Sequence, residues 1–393
     1  MQMNKTLSNK LKNIMDKAVS NKEIAGANLL VRVKGEELAY CEAGYADVSN
    51  NIPVRRDTIF RLYSMTKPIT ATAIMMLMER GLIDLADPVS DYLPGFKDQK
   101  VYTNEGYIPV RRQITISDLL SMTSGMPYGH NLSQAGRETQ QVFDEIDKKL
   151  RSEKALSTVE IANRLGQCSL EFHPGDGFMY GTSADILGAI VEVVSGISFG
   201  DFLRNEIFEP LGMNDTDFFV PEEKNHRFSK VFQGTDSGIM EWETNHLGII
   251  HTIKPAFESG GAGLASTIDD YEKFATMLLN KGSYNNKKLL SSRTVDYFIS
   301  GELTPWQQES FWRTWDRLYG YSYGNLMRIL KHPGMAVLHG SIGEYGWDGW
   351  LGTCFCNAPQ EELSIIFMIQ KKDAGMTPVF RKLKNVIFSE LEI

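Results

Sequence analysis

The sequence FRLYSMTKP, residues 60–68, marks the point at which this chain changes from predicted strands to predicted helices. Apolar residues recur with helical spacing over residues 65–80, a proline lies in the first turn where it is tolerated, and Gly81 supplies a stop. Ser64 then lies at the N-terminus of a helix, and Lys67, three residues further on, faces the same side. The stretch therefore predicts a hydroxyl and an amine within reach of each other.

The pairing of Ser64 with Lys67 suits nucleophilic chemistry. Free N–H groups and the positive end of the helix macrodipole favour an oxyanion at this position, and burial can lower the pKa of a lysine until its amine works as a base. A chance S-x-x-K is unsurprising in 393 residues, but this is the only one in the chain and it opens a helix. A catalytic site also requires a second base, an oxyanion hole and a pocket.

Length and charge limit the class of protein and its partners. A chain of 393 residues can form one large domain or two, and its formal net charge of −8 argues against nucleic acid or an anionic membrane as the main partner. Residues 1–21 predict an amphipathic helix without the apolar core of a signal peptide, and no stretch is long enough to span a bilayer. A cytoplasmic location and a small-molecule substrate are expected, and the oligomeric state stays open.

The four cysteines are too few for a disulfide scaffold. Cys354 and Cys356 lie two residues apart in a strand-like run and would share one face, which favours buried thiols. No histidine or second cysteine pair stands at ligand spacing, so we expect neither a metal site nor a cofactor.

Strand-like segments lie at both ends of the chain, with helices between them. Strands are predicted over residues 27–33, 37–43, 350–357 and 363–370. Helices are predicted over residues 65–80, 116–122, 140–151, 158–165 and 184–194, from Thr267 to Gly282, and from about Pro378 onward. The economical fold is α+β: one antiparallel sheet from the N- and C-terminal segments, flanked by the first and last helices, with an all-helical region inserted.

A second candidate residue is Tyr180, in the loop over residues 175–183 before the helix that Ser183 is expected to cap. A phenol among cations such as Lys67 would lose its proton more easily and act as general base. The alternative is a buried tyrosine that only packs and makes one hydrogen bond, which is the commoner situation for a lone tyrosine.

Glycines are frequent in residues 340–353, just before and within a predicted strand. They allow a substrate to approach the backbone closely, and a free strand N–H paired with that of Ser64 would form an oxyanion hole. The alternative is a glycine-rich turn with its tryptophans in the core. The aromatic run over residues 306–323 likewise fits either a pocket wall or the core.

Three motifs in this order resemble those of the serine β-lactamase-like superfamily: Ser64 to Lys67, then Tyr180-Gly181-Thr182, then Trp347-Asp348-Gly349. That superfamily includes class C β-lactamases, D-Ala-D-Ala carboxypeptidases and family VIII carboxylesterases. The stretches over residues 115–127, 210–216 and 260–264 also resemble sequences of this superfamily. The resemblance implies an α/β sandwich domain of β-lactamase/transpeptidase type from residues 1–66 and 245–393, a mainly helical domain from residues 67–244, and a site between them.

The resemblance also implies roles for the residues. Ser64 would be the acylated nucleophile, and Lys67 and Tyr180 the base pair that activates it and later the deacylating water. The strand Trp347-Asp348-Gly349 would line the acyl pocket. The oxyanion hole would consist of the backbone N–H groups of Ser64 and Trp350.

Two departures from the family pattern bear on the substrate. Thr182 replaces the usual asparagine of the second motif, losing an amide that helps to hold amide substrates. Trp347 replaces the lysine or histidine that helps bind a substrate carboxylate, and the adjacent Asp348 would repel one, whereas a Trp-x-Gly third motif is what family VIII esterases have. We therefore predict a serine hydrolase of small carboxylic esters; the alternatives are a β-lactamase or D-amino-acid peptidase, an acyltransferase, and an inactive penicillin-binding-like protein.

Overall fold

The computed structural model describes residues 2–236, 238–243 and 246–391, with only the backbone described for residues 2–4. Its α-helices are α1 Gln2–Ser20, α2 Thr66–Glu79, α3 Ile116–Leu120, α4 Gln134–Lys149, α5 Thr158–Gln167, α6 Ser183–Ser195, α7 Phe199–Leu203, α8 Glu209–Leu211, α9 Ile268–Leu279, α10 Ser292–Phe298, α11 Pro305–Thr314 and α12 Pro378–Glu390. Its strands are β1 Gly26–Val33, β2 Glu36–Asp47, β3 Ile52–Pro53, β4 Phe60–Arg61, β5 Lys100–Thr103, β6 Gly106–Pro109, β7 Phe232–Thr235, β8 Gly238–Glu241, β9 Ala265–Ser266, β10 Ser283–Tyr284, β11 Lys287–Lys288, β12 Tyr321–Gly324, β13 Met327–Leu330, β14 Tyr345–Asp348, β15 Cys354–Ala358 and β16 Leu363–Ile369.

The main sheet has eight strands in the order β12-β13-β14-β15-β16-β1-β2-β3. Every neighbouring pair is antiparallel, and the two ends of the chain meet where β1 pairs with β16, with Leu30 opposite Ile366. The predicted α+β fold, with one antiparallel sheet built from N- and C-terminal segments, is therefore confirmed.

Alternation along the strands divides the core between the two faces of this sheet. One face packs against α1 and α12, and it comprises Leu7, Leu11, Met15, Leu29, Val31, Cys354, Cys356, Ile365, Phe367, Phe380 and Leu383 among others. The other face, with Leu30, Phe355 and Ile366, belongs to the larger core shared with the helical region. Because each fully buried leucine, isoleucine or phenylalanine stabilises the fold by about 1.5–3 kcal/mol, both layers contribute strongly to stability.

Helix α2 runs through the interior of the larger core. Residues 66–77 are all buried, so this helix has no polar face turned to water. Its three buried threonines all make hydrogen bonds: the Thr72 hydroxyl donates to the Pro68 carbonyl at 2.9 Å, the Thr70 hydroxyl to the Gly260 carbonyl at 2.7 Å, and the Thr66 hydroxyl accepts from the Leu264 N–H at 3.1 Å. Such a helix holds the residues at its N-terminus in a fixed place.

Helix ends follow the local signals in the sequence. The Thr267 hydroxyl accepts a hydrogen bond from the Asp270 N–H and α9 begins directly after it, whereas the Asp270 carboxylate accepts from the Asp215 N–H, so half of the expected capping box is present. Helix α6 ends at Gly196, which has φ of 73°, a left-handed conformation that glycine adopts at little cost. Its N-cap is Thr182 rather than the predicted Ser183, which is the first helical residue.

Two predictions about strands need correction. The inserted region is not all-helical, because residues 100–109 form the β5–β6 hairpin and residues 232–241 the β7–β8 hairpin. The strand predicted over residues 350–357 is interrupted, because a turn over residues 349–352 separates β14 from β15. Gly352 has φ of 92° in this turn, which a strand cannot accommodate. The predicted division at residue 66 stays a prediction, and the boundary at 244/245 lies outside the described residues.

The four cysteines are free and buried, as predicted for Cys354 and Cys356. Within the described residues, no group of three or more histidine, cysteine, aspartate or glutamate side chains is arranged to hold a metal ion. In the same part of the chain, no single helix is long and apolar enough to cross a bilayer. Only α6 taken together with residues 199–211, at a bend of 81°, passes that test by length and composition.

Candidate active site

Ser64 lies in a single 3₁₀ turn, Tyr63–Met65, that joins β4 to α2. Tyr63 has φ of 45°, a left-handed conformation that costs a non-glycine residue roughly 1–2 kcal/mol. Two hydrogen bonds with Leu264, in the loop before β9, fix this turn in place. The Leu62 N–H donates to the Leu264 carbonyl at 2.9 Å, and the Leu264 N–H donates to the Thr66 hydroxyl at 3.1 Å. Tertiary contacts therefore impose the strained backbone beside Ser64.

The Lys67 amine lies 3.1 Å from the Ser64 hydroxyl oxygen, as the sequence spacing predicts. It also donates to the Gly261 carbonyl at 2.8 Å and contacts the Tyr128 hydroxyl at 2.9 Å. Lys67 is fully buried, and this burial lowers the pKa of its amine from 10.5 to about 7, with Asp185 opposing the shift. Near neutral pH the amine is therefore neutral, with its lone pair available, in a large fraction of molecules.

The surroundings of Lys67 are fixed by Asp185, a buried carboxylate on α6. Its Oδ1 accepts hydrogen bonds from the Ser259 hydroxyl at 2.6 Å and from the Gly261 N–H at 3.0 Å. The carbonyl of the same Gly261 receives the Lys67 amine. Asp185 thereby positions the backbone that positions Lys67, and it is the nearest negative charge that acts on the amine.

Tyr180 also lies next to Ser64, with its ring centroid 4.7 Å from the Lys67 amine. Its hydroxyl shares a hydrogen bond with Ser64 and accepts one from the Trp347 indole N–H at 2.9 Å. The predicted loss of its proton is wrong: burial raises the pKa of Tyr180, and the hydrogen bonds with Ser64 and Trp347 only partly offset that rise. The phenol keeps its proton, so Tyr180 can donate to Ser64 but is not a ready-made base.

The third motif lies on β14 at the edge of the site. Trp347 is almost fully buried among aromatic rings and holds the Tyr180 hydroxyl. The Asp348 carboxylate forms an ion pair with the Arg328 guanidinium, which is buried beneath it on β13. The expectation that Asp348 presents a repelling charge is therefore corrected, because its charge is balanced by Arg328.

The turn after β14 brings Trp350 close to the nucleophile. A Cβ at Gly349 would lie 2.2 Å from the Leu62 carbonyl oxygen, so only glycine allows this approach of the two backbones. Thr353 adds a hydrogen bond from its hydroxyl to the same Leu62 carbonyl at 3.1 Å. Among the described residues, the backbone N–H groups of Ser64 and Trp350 have no hydrogen-bond acceptor. The two segments are joined at Leu62, and the role of these two N–H groups as oxyanion-hole donors stays a prediction.

Two cavities meet at Ser64, and Tyr180 and Trp350 line both of them. The tryptophan cavity, of about 530 Å³, is lined further by Thr314, Trp315, Asp316, Arg317, Leu318, Trp347, Asp348, Gly349, Asp373, Ala374, Gly375 and Met376. The tyrosine cavity, of about 370 Å³, is lined further by Tyr63, Tyr128, Gly129, Gln140, Phe143, Asp147, His246 and Leu247. A substrate with two groups on either side of a reacting carbonyl can place one group in each cavity.

Thr182 lines neither of these cavities. Its side chain is fully buried, and its hydroxyl has no hydrogen-bond partner among the described residues. The geometry gives no support to the predicted contact of Thr182 with substrate. The side chain that contacts the lysine amine here is Tyr128, whose hydroxyl lies 2.9 Å from it.

The aromatic run over residues 306–323 divides between the two roles that its sequence left open. Trp315 forms a wall of the tryptophan cavity, edge-on to Tyr180 at 4.9 Å between ring centroids. Phe311 and Tyr323 are core residues, whereas Trp306 is 58% exposed. Of this run, residues 314–318 line the cavity.

Sequence reasoning missed Tyr128, Asp185 and Gly261. Tyr128 directly follows the familial stretch 115–127, and Gly261 lies within the stretch 260–264, so both were close to a recognised signal. Asp185 gave no signal, because an aspartate in the first turn of a helix is ordinary.

Comparisons with known proteins identify the family and the fold of this chain. A family model described as beta-lactamase matches residues 11–383. Esterase EstB of Burkholderia gladioli is 28% identical over 401 residues, which covers 98% of this chain and 96% of that protein. A putative D-alanyl-D-alanine carboxypeptidase of Salmonella heidelberg (strain SL476) is 28% identical over 366 residues, covering 87% of this chain and 77% of that protein.

A similar fold is found among solved structures. The structure of EstCE1, described as a hydrolase with promiscuous acyltransferase activity, has a TM-score of 0.82 to this chain at 22% identity. The alignment covers 99% of this chain and all of that one. At this level of identity the likeness shows a shared fold.

Proposed function

The chain belongs to the beta-lactamase family and is a hydrolase, and from this premise we propose that it cleaves small carboxylic esters through an acyl-enzyme on Ser64. One observation carries the proposal. A buried lysine amine, with a pKa of about 7, lies 3.1 Å from the hydroxyl of a serine at a helix N-terminus. A base with that pKa accepts a proton readily at neutral pH, which is what an unactivated serine requires.

The hydrogen bonds around Lys67 favour transfer of a proton from the Ser64 hydroxyl to the Lys67 amine. A neutral amine has two N–H bonds and one lone pair. The Gly261 carbonyl can only accept, so it takes one N–H, and the contact with the Tyr128 hydroxyl takes the other. The lone pair is left for the Ser64 O–H. As Ser64 attacks the ester carbonyl carbon, its proton passes to Lys67.

Tyr180 serves in this mechanism as a proton donor and not as the base that activates Ser64. Its oxygen accepts from the Trp347 indole, so its own O–H is directed toward Ser64. In the tetrahedral intermediate the negative oxygen is held by the N–H groups of Ser64 and Trp350. The C–O bond to the alcohol then breaks, and the proton held on Lys67 goes to the departing oxygen, directly or through Tyr180.

Water completes the cycle by the same route. It enters the space that the alcohol leaves, gives a proton to Lys67, and attacks the acyl carbon. The bond to Ser64 breaks, Ser64 recovers its proton, and the carboxylic acid departs. Every step uses groups within hydrogen-bonding reach of the nucleophile.

The charges of the site favour esters over lactams and D-amino-acid peptides, whose substrates carry a carboxylate. Apart from Asp348, whose charge Arg328 balances, the two cavities are lined by the carboxylates of Asp147, Asp316 and Asp373, while Arg317 is the cation that lines them among the described residues. Trp347 occupies the motif position where a carboxylate-binding lysine or histidine would lie. A substrate carboxylate would be repelled more than it is attracted.

The test compares the wild-type protein with Ser64→Ala on p-nitrophenyl acetate, p-nitrophenyl butyrate and a chromogenic cephalosporin. Ester turnover is expected to exceed lactam turnover, to vanish in the variant, and to leave the mass of one acyl group on trapped wild-type protein. Fast lactam cleavage would overturn the argument from charge. Absence of any acylation would favour an inactive penicillin-binding-like protein, and faster release of nitrophenol on adding an alcohol would favour an acyltransferase.

A further inference from the structure

The tyrosine cavity differs from the tryptophan cavity in chemistry as well as in place. Its walls carry the rings of Tyr63, Tyr128 and Trp350, together with Phe143 and His246. Ring faces of this kind attract organic cations by electrostatic interaction with the ring quadrupole. The cavity is therefore suited to a group that is both apolar in surface and positively charged.

One carboxylate, that of Asp147, is among the described lining residues of this cavity. Gln140, Phe143 and Asp147 lie three and four residues apart on α4, so they share the helix face that lines the cavity. Asp147 takes part in no salt bridge among the described residues. The pKa of its carboxyl is raised by burial and by the neighbouring Asp144, with no cation acting to lower it.

Positive groups near the cavity do not cancel this carboxylate. No lysine or arginine is among its described lining residues. Lys148 and Arg151 line a separate surface groove, which Asp147 also borders. The Lys67 amine, at the base of the site, has a pKa of about 7, and burial lowers the pKa of His246, so neither contributes a full positive charge at neutral or higher pH.

From this geometry we propose that the tyrosine cavity is the subsite for the alcohol part of the ester, and that it prefers an alcohol bearing a substituted ammonium group. The proposal rests on the proposed ester hydrolysis. The acyl group is then held by the larger cavity beside Trp347 and Gly349. The ester oxygen departs next to Lys67, which supplies its proton and whose amine contacts Tyr128, a lining residue of the tyrosine cavity. The ammonium group lies among the rings, with Asp147 beyond it.

The kinetic test uses two butyrate esters of nearly equal shape. Butyrylcholine carries a quaternary ammonium group, and 3,3-dimethylbutyl butyrate carries a neutral tert-butyl group in its place. The wild-type protein is expected to favour butyrylcholine in kcat/KM by about 10-fold at low ionic strength, with a smaller ratio at high salt. Asp147→Asn is expected to lower that ratio by at least about threefold.

The matched control is Asp316→Asn, which removes the same charge from the rim of the other cavity. It is expected to leave the ratio of the two esters unchanged. A wild-type ratio near one overturns the proposal. Equal losses in the two variants also overturn it, because they would indicate a general field rather than a local site.

A binding measurement separates this proposal from the proposed function. In Ser64→Ala, tryptophan fluorescence is titrated with choline and with 3,3-dimethylbutan-1-ol, since Trp350 borders the cavity. Choline is expected to bind more tightly, and this preference should fall when Asp147→Asn is added. If neither ester is hydrolysed but this preference is found, the proposed function fails and the subsite stands. Equal binding of the two alcohols, whatever the hydrolysis, refutes the subsite.

Discussion

The proton on Lys67 decides whether the site is active. Burial brings the pKa of the amine to about 7, and only the unprotonated amine can take the Ser64 proton. We therefore expect kcat/KM for a neutral ester to rise tenfold per pH unit below about pH 7 and to become constant above it. Tyr180, whose pKa is raised by burial, should add no descending limb near neutral pH. The measurement is the pH dependence of kcat/KM with p-nitrophenyl butyrate.

Asp185→Asn provides the check on that assignment. Asp185 raises the pKa of Lys67, and asparagine keeps an oxygen for Ser259 and Gly261 while removing the charge. In the variant, the ascending limb of the pH dependence of kcat/KM should therefore move to lower pH. A merely structural role would lower the rate without moving the limb, and a shift to higher pH would contradict the assignment of Lys67 as the titrating base.

The hydrogen bond from Trp347 to Tyr180 should have a measurable effect on turnover. Trp347→Phe keeps a ring in the wall but removes the donor that orients the phenol. Loss of one hydrogen bond predicts a decrease in kcat of about 3- to 10-fold. Trp315→Phe changes the same wall without touching that bond and should have a smaller effect on kcat. Equal decreases in kcat in both variants would assign the effect to cavity shape.

Tyr180 itself should matter more than the residue that orients it. Tyr180→Phe removes the proton donor to Ser64, so a loss of about 10² to 10⁴ in kcat is expected. Measured kcat near the wild-type value would show that Lys67 alone carries the protons, with Tyr180 serving only in packing.

At the scale of elements, α12 is joined to the sheet by a buried ion pair. Lys384 on α12 donates to the Glu344 carboxylate, next to β14, at 2.6 Å, and each side chain is 2% exposed. Lys384→Met leaves that carboxylate buried without its cation, which should cost about 3–5 kcal/mol in the free energy of unfolding. Urea unfolding of the wild-type protein and of the variant measures this difference in the free energy of unfolding.

The matched double variant, Lys384→Met with Glu344→Gln, should recover much of the lost stability, because both charges are then absent. If the double variant is no more stable than the single one, the loss arises from packing of the Lys384 stem and not from an unpaired charge.

At the scale of the whole molecule, acid should reduce stability through His251. Burial lowers the pKa of this side chain from 6.5 to about 3 in the folded state, with a further contribution from Arg61. Between these pH values the unfolded chain binds a proton that the folded chain does not, so the free energy of unfolding falls as pH falls from about 6.5 to about 3. The effect is on the order of a few kcal/mol.

Urea titrations at a series of pH values test this expectation. His251→Leu should show a smaller loss between pH 6.5 and the onset of acid unfolding. An unchanged slope in the variant would assign the acid sensitivity to other groups.

The sequence by itself determined what depends on neighbours along the chain. Thr267 as an N-cap, the left-handed Gly196 and the three-residue spacing of Ser64 and Lys67 are all local relations, because helix geometry joins residues at most four positions apart. Strand-like runs of residues likewise predicted β1, β2 and β16, and therefore a sheet built from both ends of the chain.

Only the tertiary structure decided which distant groups meet at the nucleophile. Tyr128 lies 61 positions from Lys67 and Gly261 lies 194 positions away, yet both contact its amine. The same packing keeps Tyr180 protonated, pairs Asp348 with Arg328 and removes Thr182 from the cavities. Burial and partners across the fold determine charge and access, and no spacing in the sequence encodes them, because they arise only when segments far apart in the chain are packed together.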